Sequence, residues 1–364
     1  MKKNLLLLLA LFALLFASCE KDDDCKNCYI ENESEFTNSL FILNQGAFQG
    51  NNSTLAHYDI EKQKLNDDLY TDINSRGLGD NSNDMIRYGD KIYIVVNGSS
   101  TVEVISAING KALKQVSFKD EEGTARQPRF AVGHANKVYI TSFDNTVSRI
   151  DTTSLAVDAT IEVGRNPEGI TVANNKLFVA NSGGLDFGNP DNTVSVIDIS
   201  TFKEEKKIEV DDNPYLVYAD TQGDIYVTTR DVFDADFNWV AGSSFQRIKA
   251  DTHKVETIDG INPSGEFTIV NDKAYIVIND YTATKVTVYD CKTETVVTEN
   301  LISEEANFNT APFSISVDAV SGDLFLTETD YVTPGNVHWI DKNGNLKETI
   351  KTVGINPYKV SYIR

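Results

Sequence analysis

The stretch Asn166–Val210, NPEGITVANNKLFVANSGGLDFGNPDNTVSVIDISTFKEEKKIEV, decides the fold. It holds four short apolar runs: Gly169–Val172, Lys176–Ala180, Thr193–Ile199 and Lys207–Val210. Asn174-Asn175, then Gly183 to Asn192, then Ser200 to Glu205 separate them. Val, Ile and Phe favour a pleated strand, whereas Asn, Gly, Pro and Asp favour turns. Alone, the stretch predicts a four-stranded antiparallel meander.

The chain repeats this unit at a period of ~40–50 residues, the mark of a propeller or solenoid. A proline opens the first strand of successive units: Gln127-Pro128, Asn166-Pro167, Asn213-Pro214, Asn262-Pro263, Ala311-Pro312 and Asn356-Pro357. Proline suits a first strand position, where no ladder donor is needed. Second-strand runs follow, among them Lys91-Ile-Tyr-Ile-Val, Lys137-Val-Tyr-Ile-Thr and Lys176-Leu-Phe-Val-Ala. Third strands end on Asp151, Asp198, Asp290 and Asp341. Six full units start near Asn83, Gln127, Asn166, Asn213, Asn262 and Ala311.

The N-terminal unit supplies Leu40–Asn44, Ser53–Asp59 and Leu65–Tyr70 as its second to fourth strands and lacks a first. The chain ends on a lone first strand, Asn356-Pro-Tyr-Lys-Val-Ser-Tyr-Ile. The two fragments complete each other. The expectation is an all-β, seven-bladed β-propeller of four-stranded antiparallel blades over residues 36–364, closed by the C-terminal strand joining the N-terminal blade. Closure removes the seam a ring would otherwise expose. No sustained i, i+3, i+4, i+7 spacing appears, so almost no helix is expected.

Residues 1–18 read as a signal peptide, with Lys2 and Lys3 ahead of the apolar run Leu5–Phe16. The run is too short to favour a membrane span. Residues 19–35 read as an acidic, solvated tether. Cys25-Lys-Asn-Cys28 lies on it; a metal site needs further ligands, and a local disulfide and no pairing at all both stay open. Cys291, at the end of a third strand, reads as a packed thiol. Lys and Arg total 33 against 54 Asp and Glu, a net charge of −21. That balance argues against nucleic acid or anionic lipid as a binding surface.

In a meander, the loop between second and third strands shares a face with the inter-blade connection. The loops on that face are long and irregular: Asn44–Asn52, Asn181–Asn192, Arg230–Ser244, Asn279–Lys285 and Glu328–Asn336. They carry Phe48, Phe187, Phe233, Phe237, Trp239, Tyr281 and Tyr331. The connections add Arg129, Arg165, Tyr215, Phe313 and Tyr358, and second strands end there on Asn44, Asn97, Asn181, Arg230 and Asn279. Loops on a rigid scaffold are where binding is usually placed. Aromatics and amides around an axis suit a flat, polar-edged organic ligand or a sugar.

No catalytic motif appears: no Gly-x-Ser-x-Gly elbow, no Walker loop and no His-x-x-x-His pair. His57, His134, His253 and His338 are dispersed, and no metal site or resident cofactor is expected. Glu168, Asp231, Asp280, Glu328 and Asp330 fall on the loop-bearing face, but nothing picks out a glycosidase pair. Asp341-Lys-Asn-Gly-Asn has its glycine misplaced for a calcium loop and reads as a hairpin turn. The expectation is a protein that is not an enzyme.

Lys176-Leu-Phe-Val-Ala-Asn and Asn192-Thr-Val-Ser-Val-Ile-Asp resemble the YVTN-type, YncE-like propeller repeat over about the whole domain. Phe16-Ala-Ser-Cys19 resembles a bacterial lipobox, with Phe16 where Leu is usual; the resemblance makes Cys19 the lipidated residue. Glu20-Lys-Asp-Asp-Asp resembles the export signal of Bacteroidetes surface lipoproteins. Leu43-Asn-Gln-Gly-Ala-Phe-Gln-Gly-Asn-Asn-Ser-Thr-Leu-Ala-His-Tyr-Asp and Arg76-Gly-Leu-Gly-Asp-Asn-Ser-Asn-Asp-Met are similar to the lipoprotein propellers that include the cobalamin-capturing BtuG type. Within the second segment, Gly77 and Gly79 also fit a tight connection. The resemblance implies a lipid-anchored outer-membrane protein at the cell surface. It would capture a corrinoid on one propeller face and pass it to a TonB-dependent receptor of the BtuB type. The membrane is then touched through the lipid alone, and no nucleic acid is bound. A glycan- or protein-binding propeller of another uptake or adhesion system is the alternative, and behind it a carboxylate-dependent glycosidase or lyase. The residues expected to face ligand are Phe48, Asn97, Arg129, Asn181, Phe187, Tyr215, Arg230, Trp239, Tyr281, Tyr331 and Tyr358.

Overall fold

Seven four-stranded antiparallel sheets follow one another along the chain, each a meander. A computed structural model describes residues 36–184, 186, 188–279, 283–303 and 306–364. Ser34–Arg364 forms one compact unit. Cys19, Cys25, Cys28, Phe187, Asp280 and Tyr281 lie outside the described residues.

The deciding stretch folds as Pro167–Ala173, Lys176–Asn181, Thr193–Asp198 and Lys203–Glu209, hydrogen-bonded in that order. Its second and third strands are almost wholly buried, because neighbouring blades cover both their faces. The outer strand, Lys-Glu-Glu-Lys-Lys-Ile-Glu, is mostly exposed, and its charges discourage edge-to-edge pairing. Apolar side chains from adjacent blades fill the space between sheets, as where Phe178, Val194 and Val196 meet Val217, Ile225 and Val227.

The ring closes as the two chain fragments require. Pro357–Ile363 pairs antiparallel with Ser39–Asn44, matching Ser39 to Ile363 and Leu43 to Lys359. The N-terminal strand thus lies between the last strand and Thr54–Asp59.

The Asn-Pro anchors have a backbone cause. Gln127, Asn166, Asn213 and Asn356 adopt positive φ values of 43–61°. Asn tolerates this left-handed region better than most residues. The proline that follows begins the strand at Pro128, Pro167, Pro214 and Pro357. Blades six and seven depart from the rule: Pro263 and Pro312 precede strands that begin only at Phe267 and Ser314.

Three expectations are corrected. The fourth strand of the first blade is Lys64–Asn66 rather than Leu65–Tyr70. Beyond it, a six-residue helix, Leu69–Asn74, is capped by the Asp68 carboxylate, which accepts from Thr71 N at 3.2 Å. Cap chemistry overrides strand propensity here, and Leu69 and Tyr70 are still buried. Second, Arg230–Ser244 is not irregular throughout: Val232–Phe233 and Trp239–Ala241 pair as a small hairpin. Third, the loops after Asn279 and Glu328 are shorter than expected, since third strands resume at Thr284 and Pro334.

The loop-bearing side is stitched together. Gln45 N and Gly46 N donate to Asn356 O and Ile355 O, and Asn213 N donates to Asp191 O. Gly79 sits at φ +127°, and a Cβ there would lie 2.6 Å from Ser99 Oγ. The tight-connection reading therefore accounts for this glycine.

Candidate binding face

In five of the seven blades the second residue of the inner strand lies near the propeller axis: Asn83, Arg129, Glu168, Tyr215 and Tyr358. Phe313, just ahead of the inner strand of the seventh blade, stacks on Tyr358. The inner strands crowd there: a Cβ on Gly169 would stand 2.8 Å from the Tyr215 carbonyl.

The axial residues form one polar cluster. Arg129 donates from Nε to Glu168 Oε2 at 2.8 Å and from Nη1 to Asn83 Oδ1 at 2.5 Å. Arg230, from the end of a second strand, donates from Nη1 to Glu168 Oε1 at 3.1 Å. Its guanidinium carbon lies 3.4 Å from the centre of the Tyr215 ring. The Tyr215 hydroxyl lies 2.9 Å from that of Tyr358, and both donate to Glu266 Oε1. Glu266 Oε2 accepts from Ser314 Oγ at 2.8 Å and from Lys359 Nζ at 3.0 Å. Asp84, also buried, accepts from Ala131 N at 2.9 Å.

Three cations, Arg129, Arg230 and Lys359, thus face three carboxylates, Glu168, Glu266 and Asp84. Burial raises the Tyr215 and Tyr358 hydroxyls well above the ordinary tyrosine value, and Glu266 adds to the effect. Burial opposes the charge of Lys359, but Glu266, Asp84 and the nearby tyrosine hydroxyls together hold the ammonium protonated. Burial likewise opposes the charge of Arg230, and Glu168 together with Tyr215 and Tyr358 overcomes it. Burial raises Asp84, with Lys359 pulling the other way.

The cluster is not uniformly open. The Arg129 side chain is 12% exposed, whereas that of Arg230 is 38% exposed. Arg230 is the cation that reaches the face. Below the cluster, inner strands of all seven blades line an axial cavity of about 240 Å³. Beside Arg230, a second cavity of about 250 Å³ opens between the loops of the fourth and fifth blades.

Of the residues singled out by sequence, Arg129, Tyr215, Arg230 and Tyr358 converge on the axis. Phe48 and Trp239 stand out from the face, 76% and 62% exposed, and Tyr331 and Phe237 are similarly exposed. Asn97 and Asn181 are placed differently. Asn97 Nδ2 donates to Pro128 O at 3.1 Å, and Asn181 Nδ2 donates to Thr193 Oγ1 and Ser195 Oγ at 3.0 and 2.9 Å. Both are buried braces between strands and do not present their amides to the face. Asn44 and Asn279 act alike, donating to Val353 O and Pro312 O.

Sequence reading passed over Asn83 as a site residue, and Ser314, Lys359 and Glu266 altogether. The signal for Asn83 was available, because it follows the strand's first residue as Arg129 follows Pro128. Glu266 gave no such signal, since it lies three residues beyond Pro263.

A separate carboxylate site lies in the seventh blade. Glu328 accepts from Asn309 N and Nδ2, each at 2.8 Å, and from Asn336 Nδ2. His338 Nε2 lies 3.2 Å from Glu328 Oε2. Burial lowers the His338 pKa below its ordinary value despite Glu328. Its neighbour Phe308 lines a cavity of about 520 Å³. Among the described residues, no group of three or more His, Cys, Asp or Glu is arranged to hold a metal ion, and no helix is long and apolar enough to cross a membrane.

The family model for a domain of unknown function, DUF5074, matches residues 38–261, well over half of the 364-residue chain. The chain belongs to the DUF5074 family. The match ends at the close of the fifth blade, so Glu266, Ser314 and Tyr358 of this DUF5074 protein lie beyond it. No curated protein matches the chain.

Among solved structures, it is similar to a quinonprotein alcohol dehydrogenase-like protein from Bacteroides thetaiotaomicron. The TM-score is 0.65 at 15% identity, covering 90% of this chain and 78% of the other. It is also similar to a putative 6-phosphogluconolactonase from Bacteroides uniformis, with a TM-score of 0.62 at 12% identity over 90% and 100% of the two chains. A streptogramin B lyase gives 0.55 at 12% identity over 74% and 82%. At such identities the likeness is one of fold, and function rests on the site.

Proposed function

We propose that this DUF5074 protein is a non-catalytic capture protein. It binds a flat, polar-edged organic ligand on the loop-bearing face, and a corrinoid such as cobalamin is the ligand that the resemblance of its N-terminal segments favours. The observation that carries the reading is the contrast between rim and centre. Exposed aromatics stand on loops of the first, fifth and seventh blades, Phe48, Phe237, Trp239 and Tyr331, whereas the carboxylates of the axial cluster are engaged by partners. A glycosidase needs one carboxyl group held protonated and ready to donate. Glu168 is bonded to both Arg129 and Arg230, so its oxygens are already committed to partners. A rigid, pre-formed face lowers the ordering cost of binding.

In this reading the protein is held at the outer membrane through lipid on Cys19 and passes its ligand to a TonB-dependent receptor. Titration of purified protein with cyanocobalamin tests it. Saturable binding at micromolar concentration or tighter supports the corrinoid reading, and no heat and no spectral change at that concentration removes it. The exposed Trp239 also suits a sugar face, so a glycan array is the companion test.

A further inference from the structure

The cavity beside Arg230 is lined by Ser182, Gly184, Asn213, Arg230, Asp231 and Phe233, among others. Its polar groups are of two kinds. Arg230 donates one N–H to Glu168, is backed by the Tyr215 ring, and remains partly exposed at the cavity mouth. Next to it in the chain, Asp231 is exposed; its Oδ1 accepts from Ser243 N at 2.9 Å. Asp186 lines the same cavity and lies 3.4 Å from Arg165.

Of the charged residues that line the cavity, Arg230 is paired with Glu168 and Asp186 with Arg165, and Asp231 lies beside them. A free anion would gain from Arg230 and lose to Asp231; a cation would meet the reverse. A neutral group that both accepts and donates satisfies both sides. A primary carboxamide does so, its carbonyl facing a guanidinium N–H and its amide N–H facing a carboxylate. Phe233 supplies an apolar wall for the carbon arm that carries the group.

We infer that this cavity is a carboxamide-reading subsite, with Arg230 as donor and Asp231 as acceptor. The inference rests on the capture reading above and deepens it, since a corrin ring carries carboxamide arms around its edge. Asp231 gives the subsite its specificity through repulsion: a carboxylate in place of the carboxamide brings a like charge beside it.

The test compares cyanocobalamin with its monocarboxylic acid derivatives, in which one peripheral amide is hydrolysed, on the parent protein and on Asp231→Asn and Arg230→Gln. The parent is expected to bind the amide form about tenfold more tightly than at least one of the acids, a difference of about 1.4 kcal/mol. Asp231→Asn should bring that ratio close to one, chiefly by tightening the acid. Arg230→Gln should weaken both forms. Equal binding of amide and every acid by the parent overturns the subsite, as does a ratio unchanged in Asp231→Asn. Failure of the parent to bind any of these corrinoids overturns the capture reading instead, so the two failures are distinct. Circular dichroism and the melting temperature of each variant separate loss of binding from loss of fold.

Discussion

The Tyr215 and Tyr358 hydroxyls lie 2.9 Å apart although 143 residues separate them in sequence, and both donate to Glu266. Tyr358 belongs to the strand that closes the ring, so the contact ties closure to the axis. Glu266 also balances Lys359, whose side chain is only 12% exposed. Glu266→Gln removes the carboxylate hydrogen-bonded to that buried ammonium and leaves Asp84 as its remaining counter-charge. It should lower unfolding free energy by about 3 kcal/mol, as removal of one partner of a buried pair does. Tyr358→Phe removes a neutral donor and should cost about 1 kcal/mol. Urea titration of both variants checks the order; a Glu266→Gln protein as stable as the parent would remove the cluster from any role in holding the ring.

The two arginines on Glu168 should separate in the same assay. Arg129 is nearly buried and serves both Glu168 and Asn83. Arg129→Ala should cost about 3 kcal/mol, because it leaves Glu168 Oε2 and Asn83 Oδ1 without the buried guanidinium that serves both. Arg230 is partly exposed and solvent screens its pair, so Arg230→Ala should cost about 1 kcal/mol or less. Equal losses would mean that Arg230 belongs to the scaffold and not to the open face.

Acid sensitivity should trace in part to His338. Burial lowers its folded pKa below the ordinary 6.5, against the pull of Glu328. The unfolded chain therefore takes up a proton before the folded one does, and the stability contributed by neutral His338 is lost as pH falls below 6.5. His57 and His253 are lowered by burial as well and act with the same sign. His338→Gln should fall in melting temperature less steeply than the parent between about pH 7 and pH 5. Parallel curves would show that His338 does not change its protonation on unfolding.

Cys291 should be inert in the folded protein. It is buried, and burial pushes its thiol up to about 12. The thiolate is the nucleophile, so alkylation at pH 8 should leave Cys291 unmodified until denaturant is added. Peptide mass mapping after iodoacetamide treatment gives the answer; rapid modification of native protein would contradict the packing.

Much of the site was legible because the repeat fixes geometry. The second residue of the inner strand recurs near the axis, and Arg129, Tyr215 and Tyr358 belong to the cluster there. Asn97 and Asn181 are buried for a reason also rooted in the repeat. Their positions recur because a buried amide there bonds to a neighbouring carbonyl or hydroxyl, so their regularity reflects bracing. Glu266 was missed since its blade breaks the spacing between proline and strand. The helix at Leu69–Asn74 was missed because six residues are too few to show a helical period.

The sequence by itself determined a ring of seven zigzag units, the closing partnership of its two ends, and the side on which the long loops emerge. Those features follow from strand alternation and turn chemistry, which are local and repeat along the chain. Only the tertiary structure decided which charged and aromatic side chains meet at the axis, which of the two arginines stays open, and where Arg230 and Asp231 flank a cavity. Such contacts join residues from different blades, and distance across a folded ring carries no trace in the spacing of a linear chain.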